Sequence, residues 1–426
     1  MQSTWSIQWL IQWLIQWLIQ WSIQWSIQWT RAKTEPARAT DMGNKNQIGL
    51  GLIGYGGFGK FLQKSWSSVD EVEIRAVSDV NPDADDGAVT FYSDWRALLS
   101  DPDVQLVSIA TPPSSHADMA CAAMRAGIHV LIEKPLATTR EDAARIRDVQ
   151  RETGCVATVD YMLRFNPVVE AMQAWAASSA FGPLRRVLVE NYAQDESLPD
   201  CHWFWDKEVS GGILVEHAVH FIDVVNGCTS STPVRILGDA VRRDRHLTDR
   251  MLLSVRYADG LLMSQYHAFS RPGFFEETTL RFVFDLAQVE VRGWIPLEGS
   301  VRALVDRRED DALGQLPNLD IIQSTPLKEV GDDSRPDGWG IADSTPSGHQ
   351  VRSGGQMYEV TDRIDARFSL NISKSDAYAN ALCALLKDVA AAIRSPDHRL
   401  RVTLDDGAAS LDTALIASSD AWHGES

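Results

Sequence analysis

The apolar run QIGLGLIG, residues 47–54, breaks into the glycine-rich turn Gly54-Tyr55-Gly56-Gly57-Phe58-Gly59 and continues as a helical pattern, KFLQKSW. A buried strand entering a helix through glycines at G-x-G-x-x-G spacing leaves few folds open. The first glycine permits a tight turn, the second lets backbone approach a pyrophosphate, and the third lets the helix pack on the strand. A second strand candidate, EVEIRAVSD, ends in Asp79, twenty residues beyond Gly59, where a carboxylate can accept both hydroxyls of a ribose. With both features in register, the chain is expected to bind a dinucleotide. No arginine accompanies Asp79 in VNPDADD to hold a 2′-phosphate, so NAD is expected over NADP.

The alternation of strand and helix continues. DVQLVSIA reads as a strand, SSHADMACAAMRAG as a helix closed by Gly127, HVLIE as a strand, TREDAARIRDVQRETG as a helix and CVATVD as another strand. This is the pattern of a parallel, doubly wound α/β sheet. Ligands in such sheets bind beyond the carboxyl ends of the strands. Those ends are ATPPSSH, with Thr111, Pro112 and His116, and EKP, with Glu133 and Lys134. All five join Gly54, Gly56, Gly57, Phe58, Gly59 and Asp79 as candidate cofactor contacts. A lysine at a strand end is ordinarily a solvated charge. Here Lys134 can reach into the cleft, polarise a substrate hydroxyl and relay its proton.

The stretch GGILVEHAVHFIDVV, residues 211–225, is an otherwise apolar helix carrying Glu216, His217, His220 and Asp223. At 100° per residue, Leu214, Ala218, Phe221 and Val225 form one stripe, and Glu216, His220 and Asp223 share the opposite face. His220 alone would read as a core histidine bonded to a carbonyl. Beside a dinucleotide site its ordinary pKa suits it to take a hydroxyl proton near pH 7, with Glu216 one helical turn away to orient it. Glu216, His217, His220 and His202 do not converge well as metal ligands, so no metal is expected.

At EKP together with the Gly-Gly…Glu…His pattern, the chain resembles the glucose-fructose oxidoreductase and inositol dehydrogenase family, Gfo/Idh/MocA. The resemblance runs from about residue 47 to the C-terminus. It is carried by the glycine loop, ATPPSSHADMA, HVLIEKPLA, YMLRFNP, GGILVEHAVHFID and the C-terminal VTLDDGAASLDTALIASSDA. It implies a Rossmann domain followed by an α/β domain with a large, open, mostly antiparallel sheet. PLRRVLVENYA, RMLLSVRYA, LLMSQYHAF and LRFVFD are strand candidates that agree with this. The resemblance further implies a homo-oligomer joined through that sheet's exposed face, and Lys134, Glu216 and His220 as the catalytic set. The family most often has Asp where this chain has Glu216. Tyr161 and Arg164 are expected to line the cleft, His217 to lie beside it, and Trp203 or Trp205 to stack on substrate.

The expected division is residues 1–41 as a low-complexity extension, 42–163 as the NAD-binding domain and 164–426 as the substrate and oligomerisation domain. Residues 305–368, rich in Gly, Ser, Pro and Asp, read as a long inserted loop. Tryptophan recurs every fourth position from Trp5 to Trp29, with glutamine on every helical face, which makes a poor membrane span and lacks the basic start of a signal peptide. Met42 offers an alternative start. A formal charge of −18 disfavours nucleic acid and anionic membrane as partners. Five scattered cysteines without a CxxC pair suit a reducing cytoplasm. The expected activity is NAD-dependent oxidation or reduction at a secondary alcohol or ketone of a sugar, sugar derivative or cyclitol. The alternatives are a glycosidase of the same family that retains NAD and oxidises transiently, and a non-catalytic NAD sensor or scaffold.

Overall fold

The computed structural model describes residues 47–196, 198–244, 247–306, 312–327 and 349–423, so the tryptophan repeat lies outside the described residues. The apolar run after Gln47 forms β1 (Ile48–Ile53), buried at every position. It is flanked by β2 (Val72–Ser78), β3 (Thr90–Tyr92), β4 (Leu106–Ile109), β5 (His129–Ile132) and β6 (Ala157–Val159). They lie in the order β3-β2-β1-β4-β5-β6, every neighbouring pair parallel. Strands buried on both faces read as continuous apolar runs, which is why β1, β4, β5 and β6 stand out in the sequence, while the short, partly exposed β3 does not. The order reverses between β1 and β4, and there the glycine loop leaves β1.

The crossover helices are those the sequence marks. His116–Arg125 is followed by Gly127 at φ +79. Arg140–Thr153 starts where the Thr139 hydroxyl accepts from the Asp142 amide at 3.1 Å, and it ends at Gly154 in the left-handed region.

A second, nine-stranded sheet contains β7 (Leu184–Gln194), β8 (Pro233–Arg242), β9 (Thr248–Tyr257), β10 (Leu262–Arg271) and β11 (Glu277–Phe284), together with β12 (Ala287–Arg292), β13 (Glu298–Val305) and β14 (Asp320–Pro326). A two-stranded hairpin, β15 (Gln350–Ser353) and β16 (Gln356–Glu359), precedes the ninth strand, β17 (Asp362–Ser369). The sheet order is β14-β17-β13-β12-β11-β7-β10-β9-β8. All its pairings are antiparallel except β7 with β10, which is parallel because the whole helical segment around residues 203–226 intervenes between β7 and β8.

The stretch read as a long loop therefore carries strands. Its last strand, Asp362–Ser369, buries Ile364, Ala366 and Phe368 on alternate positions, a strand pattern at the end of a stretch whose composition reads as loop. Residues 307–311 and 328–348 of that stretch lie outside the described residues.

Two C-terminal helices return to the first sheet's layers. Lys374–Arg394, capped by Ser373, packs against the glycine-loop helix Gly57–Trp66, and the Trp66 indole donates to the Leu382 carbonyl at 3.1 Å. Leu404–His423 packs against β8 and the helix around residues 214–226, while Thr158 on β6 donates to the Val402 carbonyl at 2.7 Å. Among the described residues no helix is long and apolar enough to cross a membrane.

Candidate active site

The glycine loop is shaped by three different constraints. Gly54 sits at φ +94, and a Cβ there would lie 2.3 Å from the Ala110 carbonyl oxygen. A Cβ on Gly59 would lie 2.1 Å from the Gly54 carbonyl oxygen, so the helix can press on the turn only with glycine there. At Gly56 and Gly57 an added Cβ would meet nothing within 4 Å. These two glycines are therefore not demanded by packing, and the open space lies over the uncapped N-terminus of the helix Gly57–Trp66, where backbone N–H groups attract anions. Asp79 immediately follows β2; one carboxylate oxygen accepts from the Tyr55 amide at 2.8 Å and the other from the Asn81 amide at 2.8 Å. Each oxygen keeps a further lone pair for a ribose hydroxyl.

Beyond β4 and β5 the expected contacts divide. Thr111 shares a hydroxyl hydrogen bond with Ser115 at 2.7 Å, and Pro112 is exposed beside it. His116 is wholly buried, with Nδ1 2.8 Å from the Pro135 carbonyl and Nε2 2.9 Å from the Thr111 carbonyl. It is a strut between the two strand-end turns, with both ring nitrogens committed to the protein, and not a free cofactor contact. Glu133 is hydrogen-bonded to Asp160 at the end of β6. Burial, then the Asp160 charge, push the Glu133 carboxyl well above the usual range, so the two acids hold one proton between them.

Lys134 reaches across to the helical segment. Its Nζ donates to the Glu216 carbonyl at 2.8 Å and also to the Glu216 carboxylate, both side chains being largely buried. The segment is not a regular helix here: Leu214–Ala218 forms a π-turn that passes into α-helix at Val219–Asn226. Both of its faces are buried, including His220 and Asp223 on the side read as polar. His220 Nδ1 is buried without a hydrogen-bond partner, and burial, then the Lys134 charge, push the imidazole well below the ordinary pKa expected from the sequence and hold it neutral. Lys134, Glu216 and His220 thus come together, drawn from a strand end and an adjacent π/α segment.

Next to them lies a cavity of about 220 Å³ lined by Asn191, His217, Phe269, Glu276, Thr278 and Trp294, among others. His217 faces His267 of β10 at 5.5 Å between ring centres, and burial pushes its pKa down to about 3. His217 Nε2, His267 Nδ1 and Asn191 Nδ2 are all buried without partners. Such orphaned groups are costly unless a ligand satisfies them. Among the described residues, no group of three or more His, Cys, Asp or Glu side chains is placed to hold a metal ion.

The structure places four expected substrate contacts, Tyr161, Arg164, Trp203 and Trp205, outside the cavity. Tyr161 is wholly buried, its ring 6.2 Å from that of His220. Arg164 is buried in a bidentate pair with Asp223, at 2.7 and 2.6 Å, and bonds Asp406 at 3.1 Å, so its guanidinium is committed to the interior. Trp205 packs on Phe204 and Phe269 and donates to the Leu198 carbonyl at 3.2 Å, while Trp203 is half-exposed beside His202; neither lines the cavity.

The tryptophan that does line it is Trp294, just after β12. An aromatic wall runs from Phe58 in the glycine-loop helix through Tyr378 (6.4 Å) and Trp294 (5.2 Å) to His220 (6.3 Å). Sequence reasoning missed Trp294, Tyr378, His267 and Asn191 because no local motif links residues brought together by separate strands and the C-terminal helix. A further cavity, of about 650 Å³, lies instead over β12, β13 and β17, away from all of these groups.

Comparison with known proteins agrees with this fold. Residues 48–161 match the profile of the oxidoreductase family with an NAD-binding Rossmann fold, and residues 169–286 match the GFO/IDH/MocA C-terminal domain. The chain is 31% identical over 195 residues to the levoglucosan dehydrogenase of Pseudarthrobacter phenanthrenivorans, covering 42% of this chain and 50% of that protein. It is 25% identical over 187 residues to the NAD(+) scyllo-inositol 2-dehydrogenase of Bacillus subtilis, covering 42% and 53%. The match thus spans about half the length of these curated relatives. Among solved structures, GenD2 from gentamicin A biosynthesis, in complex with NAD, superposes with a TM-score of 0.65 at 18% identity over 92% of this chain and 98% of that one. With both domain profiles matched in order along one chain, this protein belongs to the Gfo/Idh/MocA family of oxidoreductases.

Proposed function

We propose that the protein is an NAD-dependent oxidoreductase that transfers hydride between nicotinamide and a secondary alcohol carbon of a sugar, sugar derivative or cyclitol. The observation that carries this reading is the Lys134–Glu216 pair set against the neutral imidazole of His220 beside a cavity lined by unpartnered polar groups. The glycine loop fits a dinucleotide: Gly56 and Gly57 leave free space over helix amides, and Asp79 stands at the neighbouring strand end. A carboxylate in that position repels a 2′-phosphate, which supports NAD over NADP. NAD, when bound, supplies the two-electron acceptor for an alcohol.

The residues divide the remaining work. Glu216 pairs with the Lys134 ammonium and orients it. Lys134 donates a hydrogen bond to the substrate hydroxyl and favours its alkoxide. His220, neutral in its buried site, accepts the hydroxyl proton in oxidation and returns it in reduction. His217 and Asn191 offer hydrogen bonds to further hydroxyls of a polyol, and Trp294 offers a ring face to its C–H surface.

The test is absorbance at 340 nm with NAD or NADP and a panel of hexoses, sugar acids, anhydrosugars and inositols. At least one of these is expected to reduce NAD, with NADP markedly poorer. No NADH with any alcohol, or cleavage of aryl glycosides without NADH accumulating, would overturn the reading.

A further inference from the structure

The reaction cavity does not end at Trp294. A second hollow of about 390 Å³ adjoins it, and the two share Glu276, Thr278 and Trp294 as common wall. The inner space, at about 220 Å³, lies below the roughly 300–1,000 Å³ usual for pockets of drug-sized ligands, whereas the outer one falls within that range. The inner cavity suits a single ring, and the outer hollow continues from it.

The outer hollow is built largely by the turn between β10 and β11. Phe274 at its tip is fully exposed and Phe275 is 60% exposed. Two adjacent phenylalanines turned to solvent are unusual on a surface this charged, and both line the hollow. Beneath them the Arg271 guanidinium is stacked against the rings of Tyr192 (4.5 Å) and Phe275 (5.6 Å). On the opposite wall, Lys374 lies 5.5 Å over the Trp294 ring and 3.9 Å from Glu276, while Arg292 pairs with Glu290 at 3.6 Å. The hollow is lined by three cations, Arg271, Arg292 and Lys374, and two carboxylates, Glu276 and Glu277, while Glu290, outside it, pairs with Arg292. Ring faces flanked by charged hydrogen-bonding groups of both signs match a polyhydroxylated ring.

We infer that the substrate is a glycoside of at least two rings, whose oxidised ring occupies the inner cavity while its second glycosyl unit stacks on Phe274 and Phe275 in the outer hollow. The inference rests on the sugar-oxidoreductase reading above and specifies its substrate. No covalent step changes: the second unit contributes binding energy and orients the first.

Saturation-transfer NMR on the full chain with NAD present tests it, using glucose, galactose and mannose against maltose, cellobiose, lactose and trehalose, beside glucose 6-phosphate. At least one disaccharide is expected to bind about tenfold more tightly than its constituent hexose. The double variant Phe274→Ala/Phe275→Ala, altered only at exposed positions, is expected to lose that advantage while leaving hexose and NAD binding unchanged. Equal affinity for hexoses and disaccharides overturns the inference, as does tighter binding of glucose 6-phosphate. A double variant that keeps the disaccharide advantage but lowers the particle mass in light scattering would assign the turn to subunit contact instead. Disaccharide binding that depends on the phenylalanines but yields no NADH supports the subsite and refutes the oxidoreductase reading; NADH from hexoses with no disaccharide preference does the reverse.

Discussion

At the scale of residues, the site depends on ionisable groups kept in unusual states by burial. His217, His220 and His267 are all held neutral in the interior, the first with a pKa near 3. An unfolded chain protonates the same histidines near 6.5. Between those values the unfolded state binds protons that the folded state refuses, so this contribution to stability is complete above pH 6.5 and is lost as pH falls toward 3. Glu133 works in the opposite sense, since its raised pKa adds stability that disappears as pH rises through the folded value.

Replacing His267, which is wholly buried and bonded to Gln265 at 3.0 Å, should therefore flatten the acid side of the stability profile. For His267→Gln, urea unfolding at a series of pH values is expected to show a shallower loss of stability as pH falls below 6.5. A slope matching that of the native protein would show that His267 is not held neutral. Lys134, Glu216 and His220 were legible in the sequence because two short motifs carry them. The commitments of Arg164 to Asp223 and of His116 to two carbonyls were not, because a sequence names the charge and leaves its partner unstated.

At the scale of elements, the strand-turn-helix at residues 48–66 shows how much a local pattern can fix. Its glycines make separable predictions. Gly59→Ala would press a methyl group on the Gly54 carbonyl and is expected to cost roughly 1–3 kcal/mol, seen as a lower melting temperature. Gly56→Ala meets no atom in the protein, so the melting temperature should hold while NAD affinity falls about tenfold or more in a calorimetric titration. Equal effects of the two changes on stability would contradict the assignment of Gly56 to the ligand.

The segment at 211–226 was legible only in part. Its helical character was right, but the regular amphipathic helix gave way to a π-turn with both faces buried, a departure that periodicity averages away. Most strands of the first sheet announce themselves as buried runs. Asp362–Ser369 in the second does alternate as a half-buried strand should, but it sits at the end of a stretch rich in Gly, Ser, Pro and Asp whose composition reads as loop.

At the scale of the whole molecule, the two sheets supply different halves of one site, and the C-terminal helices join them. The first sheet ends its strands at the glycine loop, Asp79 and Lys134, while the second sheet and its helical insertion bring His217, His220, His267 and Asn191. Tyr378, on the helix Lys374–Arg394, stands between Phe58 and Trp294, so a residue near the end of the chain closes the wall that begins at the glycine loop. Such long-range convergence explains why the family was readable from motifs while the cavity was not.

The central claim is that Lys134 and His220 activate a substrate hydroxyl for hydride transfer. It is tested most directly by single-turnover formation of NADH at 340 nm, at saturating NAD and sugar, in the native protein and in Lys134→Ala and His220→Ala. Each variant is expected to bind NAD normally and to slow the hydride step by about 10²–10⁴-fold. NADH formed at the native rate by either variant would contradict the account.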